Sequence, residues 1–118
     1  MSFSLKFKEE AVELEQENGE FRELAVREMN GRVREEYLGL VSKKGKRTAH
    51  GFEVTDYNGF TTALLERCLY WKDGAEYVKV TKKEILEFPS TLVEELTKVA
   101  NDLNGFKKDA DDEDAEGN

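Results

Sequence analysis

The feature that most constrains the fold of this chain is an Asn-Gly pair between two segments rich in apolar residues. Val12 and Leu14 alternate with glutamates, Asn18-Gly19 follows, and a second apolar segment covers 21–26. Asn-Gly supplies the two positive-φ positions of a two-residue hairpin turn, and alternation with a period of two is typical of half-buried strands. The sequence therefore predicts an N-terminal β-hairpin.

The first eight residues show the same alternation. Phe3, Leu5 and Phe7 are separated by a serine and a lysine. This pattern predicts that the segment is extended and belongs to the half-buried strands of the hairpin.

Beyond the hairpin, apolar residues recur mostly at helical spacing. The first predicted helix covers about 31–42, and a basic loop over 43–51 follows it. This loop is either a docking site for an acidic surface or a solvated surface loop. The second helix begins near Thr55 or Asp56 and continues through Trp71, and its wide apolar face predicts the central buried helix.

Turn and cap residues delimit the next elements. Asp73-Gly74 predicts a turn, and a brief extended stretch follows it. Thr81 and Glu84 have the spacing of a capping box, in which each side chain accepts a hydrogen bond from a free backbone N–H group. A short helix over 82–87 is therefore expected.

The last predicted helix opens with Pro89 at its first position and ends at Asn104-Gly105 as a left-handed cap. The apolar stripe of this helix is wide. Either one side of it faces the core and the other a neighbouring subunit, or the whole stripe belongs to the core. The stripe consists of Leu92, Val93, Leu96, Val99, Ala100 and Leu103.

The net charge of −8 is unevenly distributed along the 118 residues. The segment 109–118 contains six acidic residues and no Lys or Arg, whereas the remainder has 20 acidic and 18 basic side chains. Such a tail is expected to be disordered, and a nearly neutral remainder argues against a nucleic-acid partner. We expect one α+β domain over 1–108, an N-terminal β-hairpin packed with three to four α-helices and mostly helical, followed by the tail.

Few residues suit catalysis or metal binding. The single cysteine, Cys68, lies on the apolar stripe of the second predicted helix and is interpreted as a core residue. The single histidine, His50, has no ligand-type residue at metal-binding spacing. The expectation is a non-enzyme without a cofactor or metal. A single cysteine favours a reducing cytosol, and no apolar run is long enough for a signal peptide or a membrane span.

Protein contacts are the remaining function class. The aromatic residues beside the Asp73-Gly74 turn are candidates, because exposed aromatic side chains often anchor interfaces; in the alternative, Trp71 only closes the core. The predicted contact residues are Tyr37, Leu38, Tyr70, Trp71, Tyr77, Leu92, Leu96 and Leu103.

Two blocks of the sequence resemble the tail assembly chaperones of long-tailed bacteriophages and prophages. The first runs over 27–38 and begins Arg-Glu-Met-Asn-Gly, and the second runs from Trp71 through the step at Phe88-Pro89 to the final Leu-Asn-Gly-Phe at 103–106. Their order and spacing match over about 85 residues.

The resemblance implies a non-catalytic protein that binds the tape measure protein and recruits the major tail tube protein during tail assembly. It also implies location in the cytoplasm of the bacterial host and absence from the mature virion. Self-association would give such a small domain avidity for a long partner. The alternative is a small regulatory or adaptor module that binds a peptide of phage or bacterial origin.

Overall fold

The computed structural model describes residues 1–48, 51–54 and 60–106, which form a mixed α+β fold. A four-stranded antiparallel sheet carries the core, and two further strands pair separately. Along the described chain the elements are β1 (Glu9–Glu15), β2 (Phe21–Arg27), α1 (Gly31–Lys44), β3 (Gly45–Thr48), β4 (Gly51–Val54), α2 (Phe60–Cys68), β5 (Leu69–Asp73), β6 (Glu76–Lys79), α3 (Lys82–Leu86) and α4 (Ser90–Leu103).

The main sheet has the strand order β1-β2-β5-β6. Leu24 pairs with Trp71 and Val26 with Leu69, so these four side chains share one face. Side chains alternate along a strand, and this face packs against α2 and α4. The fully buried side chains there include Leu24, Val26, Leu64, Leu65, Leu69 and Leu96.

The predicted N-terminal hairpin is confirmed, but its turn differs from the expected one. The Gly19 N–H donates to the Gln16 carbonyl (2.9 Å), and the Gln16 N–H donates to the Glu20 carbonyl (2.8 Å). Of the two residues Asn18 and Gly19, only Gly19 has a positive φ, of 89°. Asn18 instead accepts the Glu20 N–H with its side-chain oxygen at 2.9 Å, which is the local turn bond that Asn readily forms.

The alternating residues ahead of the hairpin are not in a strand, contrary to expectation. Phe3 is 89% exposed and Leu5 98% exposed, and β1 begins only at Glu9. None of the described strands pairs with residues 1–7, so no neighbouring strand among them buries the apolar side that the pattern predicts.

The first predicted helix is confirmed as α1. The prediction of a basic loop after it is wrong. The Asn30 side chain accepts the Val33 N–H at 2.8 Å and so caps the helix. The helix continues to Lys44, and β3 pairs with β4 where the basic loop was expected. The predicted start of the second helix at Thr55 or Asp56, and His50, lie outside the described residues.

The second helix is shorter than predicted. It ends at Cys68, and Leu69–Asp73 forms β5 between β2 and β6. Leu69 and Trp71 are buried while Tyr70 and Lys72 are partly exposed, which is strand alternation. The sequence prediction was wrong because this stretch fits both periods, and its pairing with β2 decides between them.

The last two helices are predicted well. Thr81 and Glu84 form both bonds of the capping box at the start of α3. Pro89 lies directly before α4 and not at its first position, because its ψ of 143° is extended. At the other end Gly105 has a φ of 74°, and the Phe106 N–H donates to the Asn101 carbonyl (2.8 Å), as in a Schellman cap.

One buried polar side chain connects distant parts of the fold. Asn104 is 6% exposed, and its Oδ1 accepts the Met29 N–H at 2.8 Å. Its Nδ2 donates to the Ala100 carbonyl at 2.8 Å and lies 3.5 Å from the Cys68 Sγ. Arg34 donates to the Asn104 carbonyl at 2.6 Å. The amide therefore joins the end of α4 to the β2–α1 connection and to the end of α2.

Replacing Asn104 with alanine should destabilise the fold, because the buried Met29 N–H loses its acceptor. An unsatisfied buried donor costs about 1–3 kcal/mol. Chemical denaturation of the parent and the variant measures the loss of unfolding free energy, provided that both proteins show the same dependence of that free energy on denaturant concentration.

The matched control is Asn101→Ala, at a partly exposed position in the last turn of α4, the helix that Asn104 follows directly. Its unfolding free energy should change by less than about 0.5 kcal/mol. Equal losses in the two variants would contradict the role assigned to Asn104.

Candidate protein-binding groove

An apolar groove of about 460 Å³ lies between the turn end of the N-terminal hairpin and the start of α4. Leu14 contributes from β1 and Trp71 from β5, because the period of the strands turns both side chains to the helix-packed face. The α3–α4 connection supplies Phe88 and Pro89, and the first turn of α4 supplies Leu92. We call this site the β1–α4 groove.

Trp71 forms the floor of the β1–α4 groove. The side chain is 7% exposed, and the Phe88 ring meets it edge-to-face with centroids 6.2 Å apart. The Arg22 guanidinium carbon lies 3.9 Å from the Trp71 ring centroid, a favourable cation–π distance. The indole N–H faces both carboxylate oxygens of Glu84 at 3.3 Å. Trp71 is therefore fixed on three sides and does not project as an anchor.

The β1 edge beside the groove carries negative charge. Glu13 and Glu15 reach the groove at this edge, but they alternate with Leu14, so their exposed side chains lie on the outer face of the sheet. Arg22 lies nearby but already stacks on Trp71. An extended ligand with an apolar side and a basic side would therefore match the groove in both polarity and charge.

Two of the predicted contact residues meet on the opposite face of the sheet. The Tyr70 and Tyr77 rings lie edge-to-face with centroids 6.0 Å apart. The Arg27 guanidinium lies 4.4 Å from the Tyr77 ring centroid and 5.1 Å from that of Phe7, and its Nε is 3.0 Å from Glu9. This cluster covers the outer face of the sheet, next to the start of β1, where residues 1–8 join the strand.

The Tyr77 hydroxyl donates to the Glu9 carboxylate at 2.9 Å. This hydrogen bond raises the pKa of Tyr77, because deprotonation would remove the donor and place two negative charges together. The cluster is thus held by hydrogen bonding and ring contacts at neutral pH.

The remaining predicted contact residues lie elsewhere. Tyr37 and Leu103 are partly buried against the core, and the Tyr37 ring stacks on Phe106 with centroids 5.8 Å apart. Leu38 is 43% exposed on α1, whereas Leu96 is 2% exposed. Leu96 is therefore a core residue in this structure and is not accessible to a partner, which corrects its place among the contact residues.

The structure thus brings Trp71 and Leu92 together in the groove and Tyr70 and Tyr77 together on the outer face. Leu14 and Arg22 were not among the predicted contact residues. The alternation of β1 indicated the apolar side on which Leu14 lies. The position of Arg22 depends on the register Leu14↔Arg22, which the sequence pattern does not fix.

The predicted core position of Cys68 is confirmed, since the side chain has no exposed surface. Burial raises the pKa of the Cys68 thiol to about 11, so that it is protonated at neutral pH and a poor nucleophile.

Within residues 1–48, 51–54 and 60–106, no three His, Cys, Asp or Glu residues are grouped to hold a metal ion. None of the helices in that part of the chain has the length and apolar character to cross a membrane. Comparison of the chain with known protein families, curated proteins and solved structures finds no match.

Glu84 links the capping box to the groove floor and should make stability depend on pH. The Thr81 backbone N–H, followed by the Trp71 indole, lowers the pKa of Glu84 below its ordinary value of 4.5. A carboxyl group whose pKa is lower in the folded state than in the unfolded state stabilises the fold. This stabilisation is fully present above the unfolded-state pKa and is lost as the pH falls through the folded-state pKa.

Glu84→Gln should therefore be less stable than the parent chain at neutral pH and equal to it in strong acid. Thermal melts between about pH 7 and about pH 3 measure this convergence. The control Glu87→Gln, at an exposed neighbouring position, should run parallel to the parent at every pH. A constant difference between Glu84→Gln and the parent would contradict the assignment.

Proposed function

We propose that the chain acts by binding proteins and not by catalysis, as a tail assembly chaperone of a long-tailed bacteriophage or prophage. In this proposal it binds the tape measure protein, recruits the major tail tube protein, and self-associates. It works in the cytoplasm of the bacterial host and is not part of the mature virion.

The observation that carries the proposal is that large apolar side chains are exposed on separate elements. Leu38 on α1 is 43% exposed, and Leu86 on α3 is 63% exposed. Val78 on β6 is also exposed, and the β1–α4 groove adds an apolar concavity. Exposed apolar groups that the fold does not need for its own core are available for contacts with other proteins.

This arrangement suits a long partner better than a small one. Several modest apolar contacts on different faces each bind weakly, and repeated copies of the chain along a tape measure protein would gain affinity by avidity. Weak individual contacts also permit release when the tail tube assembles around the tape measure protein.

The contacts between the two sequence blocks that carry the resemblance also support the proposal. Met29 of the first block donates to Asn104 of the second at 2.8 Å, and Arg34 of the first donates to the Asn104 carbonyl. Within the second block Trp71 packs on Phe88. The matching residues therefore maintain one fold together, so their joint occurrence in the sequence has a structural reason.

The reactive side chains argue in the same direction. Cys68 is buried with a raised pKa, and Tyr77 is engaged by Glu9. Neither is poised as a nucleophile at neutral pH.

Affinity capture tests the proposal. The chain, tagged at its C-terminus, is used to capture proteins from a lysate in which the corresponding phage or prophage is being produced, and the retained proteins are identified by mass spectrometry. We expect a very long, helical tail protein together with the tube subunit. Recovery of one small regulator at one-to-one stoichiometry would instead favour the adaptor module.

Leu38→Gln should lower the recovered partner about tenfold, because an exposed leucine that becomes buried on binding loses most of its apolar contact. Its matched control is Glu35→Gln, which introduces the same side chain at an exposed position of the same helix. Melting temperatures close to that of the parent would show that both variants remain folded. Equal recovery with both variants would contradict a partner surface on α1.

A further inference from the structure

The N-terminal segment, residues 1–8, contains apolar side chains that the described part of the fold does not bury. Phe3 and Leu5 are almost completely exposed. Burying an apolar side chain of this size gains about 1.5–3 kcal/mol relative to leaving it in water, so the segment has a strong tendency to find an apolar surface.

The N-terminal segment also has two chemically different sides when extended. Phe3 and Leu5 would point to one side, and Lys6 and Lys8 to the other, because successive side chains of an extended chain alternate. The segment therefore offers an apolar side and a basic side.

The β1–α4 groove has the complementary pair of features. β1 is an edge strand of the sheet, and none of the described strands pairs with its outer side. Leu14 of β1 lines the groove with Leu92, while Glu13 and Glu15 alternate with Leu14 and carry negative charge. An unpaired strand edge of this kind is a template for an added strand.

We propose that the N-terminal segment of one copy of the chain adds as a strand to the β1 edge of a second copy. Phe3 and Leu5 enter the β1–α4 groove and pack against Leu14 and Leu92. Lys6 and Lys8 then lie beside the glutamates of β1. Backbone hydrogen bonds supply affinity and the alternating side chains supply specificity, as in other cases of strand addition.

The groove that receives the segment belongs to another copy because of where the segment starts. The Glu28 N–H donates to the Lys8 carbonyl at 3.0 Å, and the Lys8 N–H donates to the Glu28 carboxylate at 2.7 Å. These bonds hold Lys8 at the beginning of β1. The groove lies at the far end of that strand, near Leu14, six residues and about 20 Å beyond Lys8 at the usual rise per residue. Leu5 lies only three residues before Lys8, about 10 Å of fully extended chain, so it cannot reach the groove of its own copy.

This inference deepens the self-association included in the proposed function and rests on it. It concerns contacts between copies of the chain, which purified protein alone can test. A monomeric chain that still captures a tail protein would reject the strand exchange alone, and a self-associating chain that captures no tail protein would reject the chaperone proposal alone, so the two failures are distinguishable.

Sedimentation velocity of the purified full chain over a range of concentrations tests the proposal. We expect concentration-dependent self-association of the parent. The double variant Phe3→Asp/Leu5→Asp should raise the dissociation constant at least about tenfold, because both apolar contacts are lost. The control Lys98→Glu makes the same change in net charge at an exposed position of α4 that has no place in the proposed contact, and it should associate like the parent. A monomeric parent, or unchanged association of the double variant, would overturn the proposal.

A complementation experiment shows whether a variant fails to associate because it lacks one half of the proposed contact or because it is unfolded. Leu92→Gln alters the groove but keeps the N-terminal segment, and the Phe3→Asp/Leu5→Asp chain keeps the groove. Each should associate more weakly alone than the parent does, and the mixture should form a tighter complex than either variant alone, because one copy supplies the segment and the other the groove. Absence of a mixed complex between two folded variants would overturn the proposal.

Charge exchange tests the basic side of the segment. Lys6→Glu/Lys8→Glu should weaken association, and mixing it with Glu13→Lys/Glu15→Lys should restore it in a mixed complex. Restoration would also exclude a peptide of another protein as the occupant needed for association. If the charge-reversed chains associate no better together than apart, the proposed side-by-side placement is wrong.

Discussion

The fold depends most on the buried amide of Asn104. Through this side chain the last helix accepts the backbone N–H of Met29 and approaches the thiol of Cys68, while Arg34 binds the adjacent carbonyl. Three chain segments that are distant in sequence therefore meet at one residue. A buried polar group is stable only when it is hydrogen-bonded, so the positions of α4, α2 and the β2–α1 connection are fixed together. The groove follows from this, because α4 begins at its edge.

The sheet divides the molecule into two different faces. Its helix-packed face ends in the β1–α4 groove, where Trp71 is fixed beneath Arg22 and against Phe88. Its outer face carries Arg27 among the rings of Tyr70 and Tyr77. Both arrangements use aromatic and charged side chains for packing and leave apolar surface accessible. Such a molecule is suited to reversible contacts with other chains, which is the common element of the proposed chaperone function and the proposed strand exchange.

Much of the fold follows from local signals. The hairpin, the capping box of Thr81 and Glu84, and the cap at Gly105 each depend on residues within a few positions of one another, and each is found. The candidate site was predicted only in part. Trp71 and Leu92 line the groove, but Leu96 is in the core, and Arg22 joins Trp71 because of the strand register. Register and burial depend on partners far along the chain, which a single pattern does not specify.

The sequence by itself determined the position of the hairpin turn, the start of α3 and the end of α4, because glycine conformation and capping side chains act over short range. It also determined that Cys68 is a core residue. Only the tertiary structure decided that Leu69–Asp73 is a strand and that residues 1–7 lie outside the sheet. In both cases the apolar pattern permits more than one conformation, and the choice is made by whether a neighbouring strand is present to pair with the backbone and cover the apolar side.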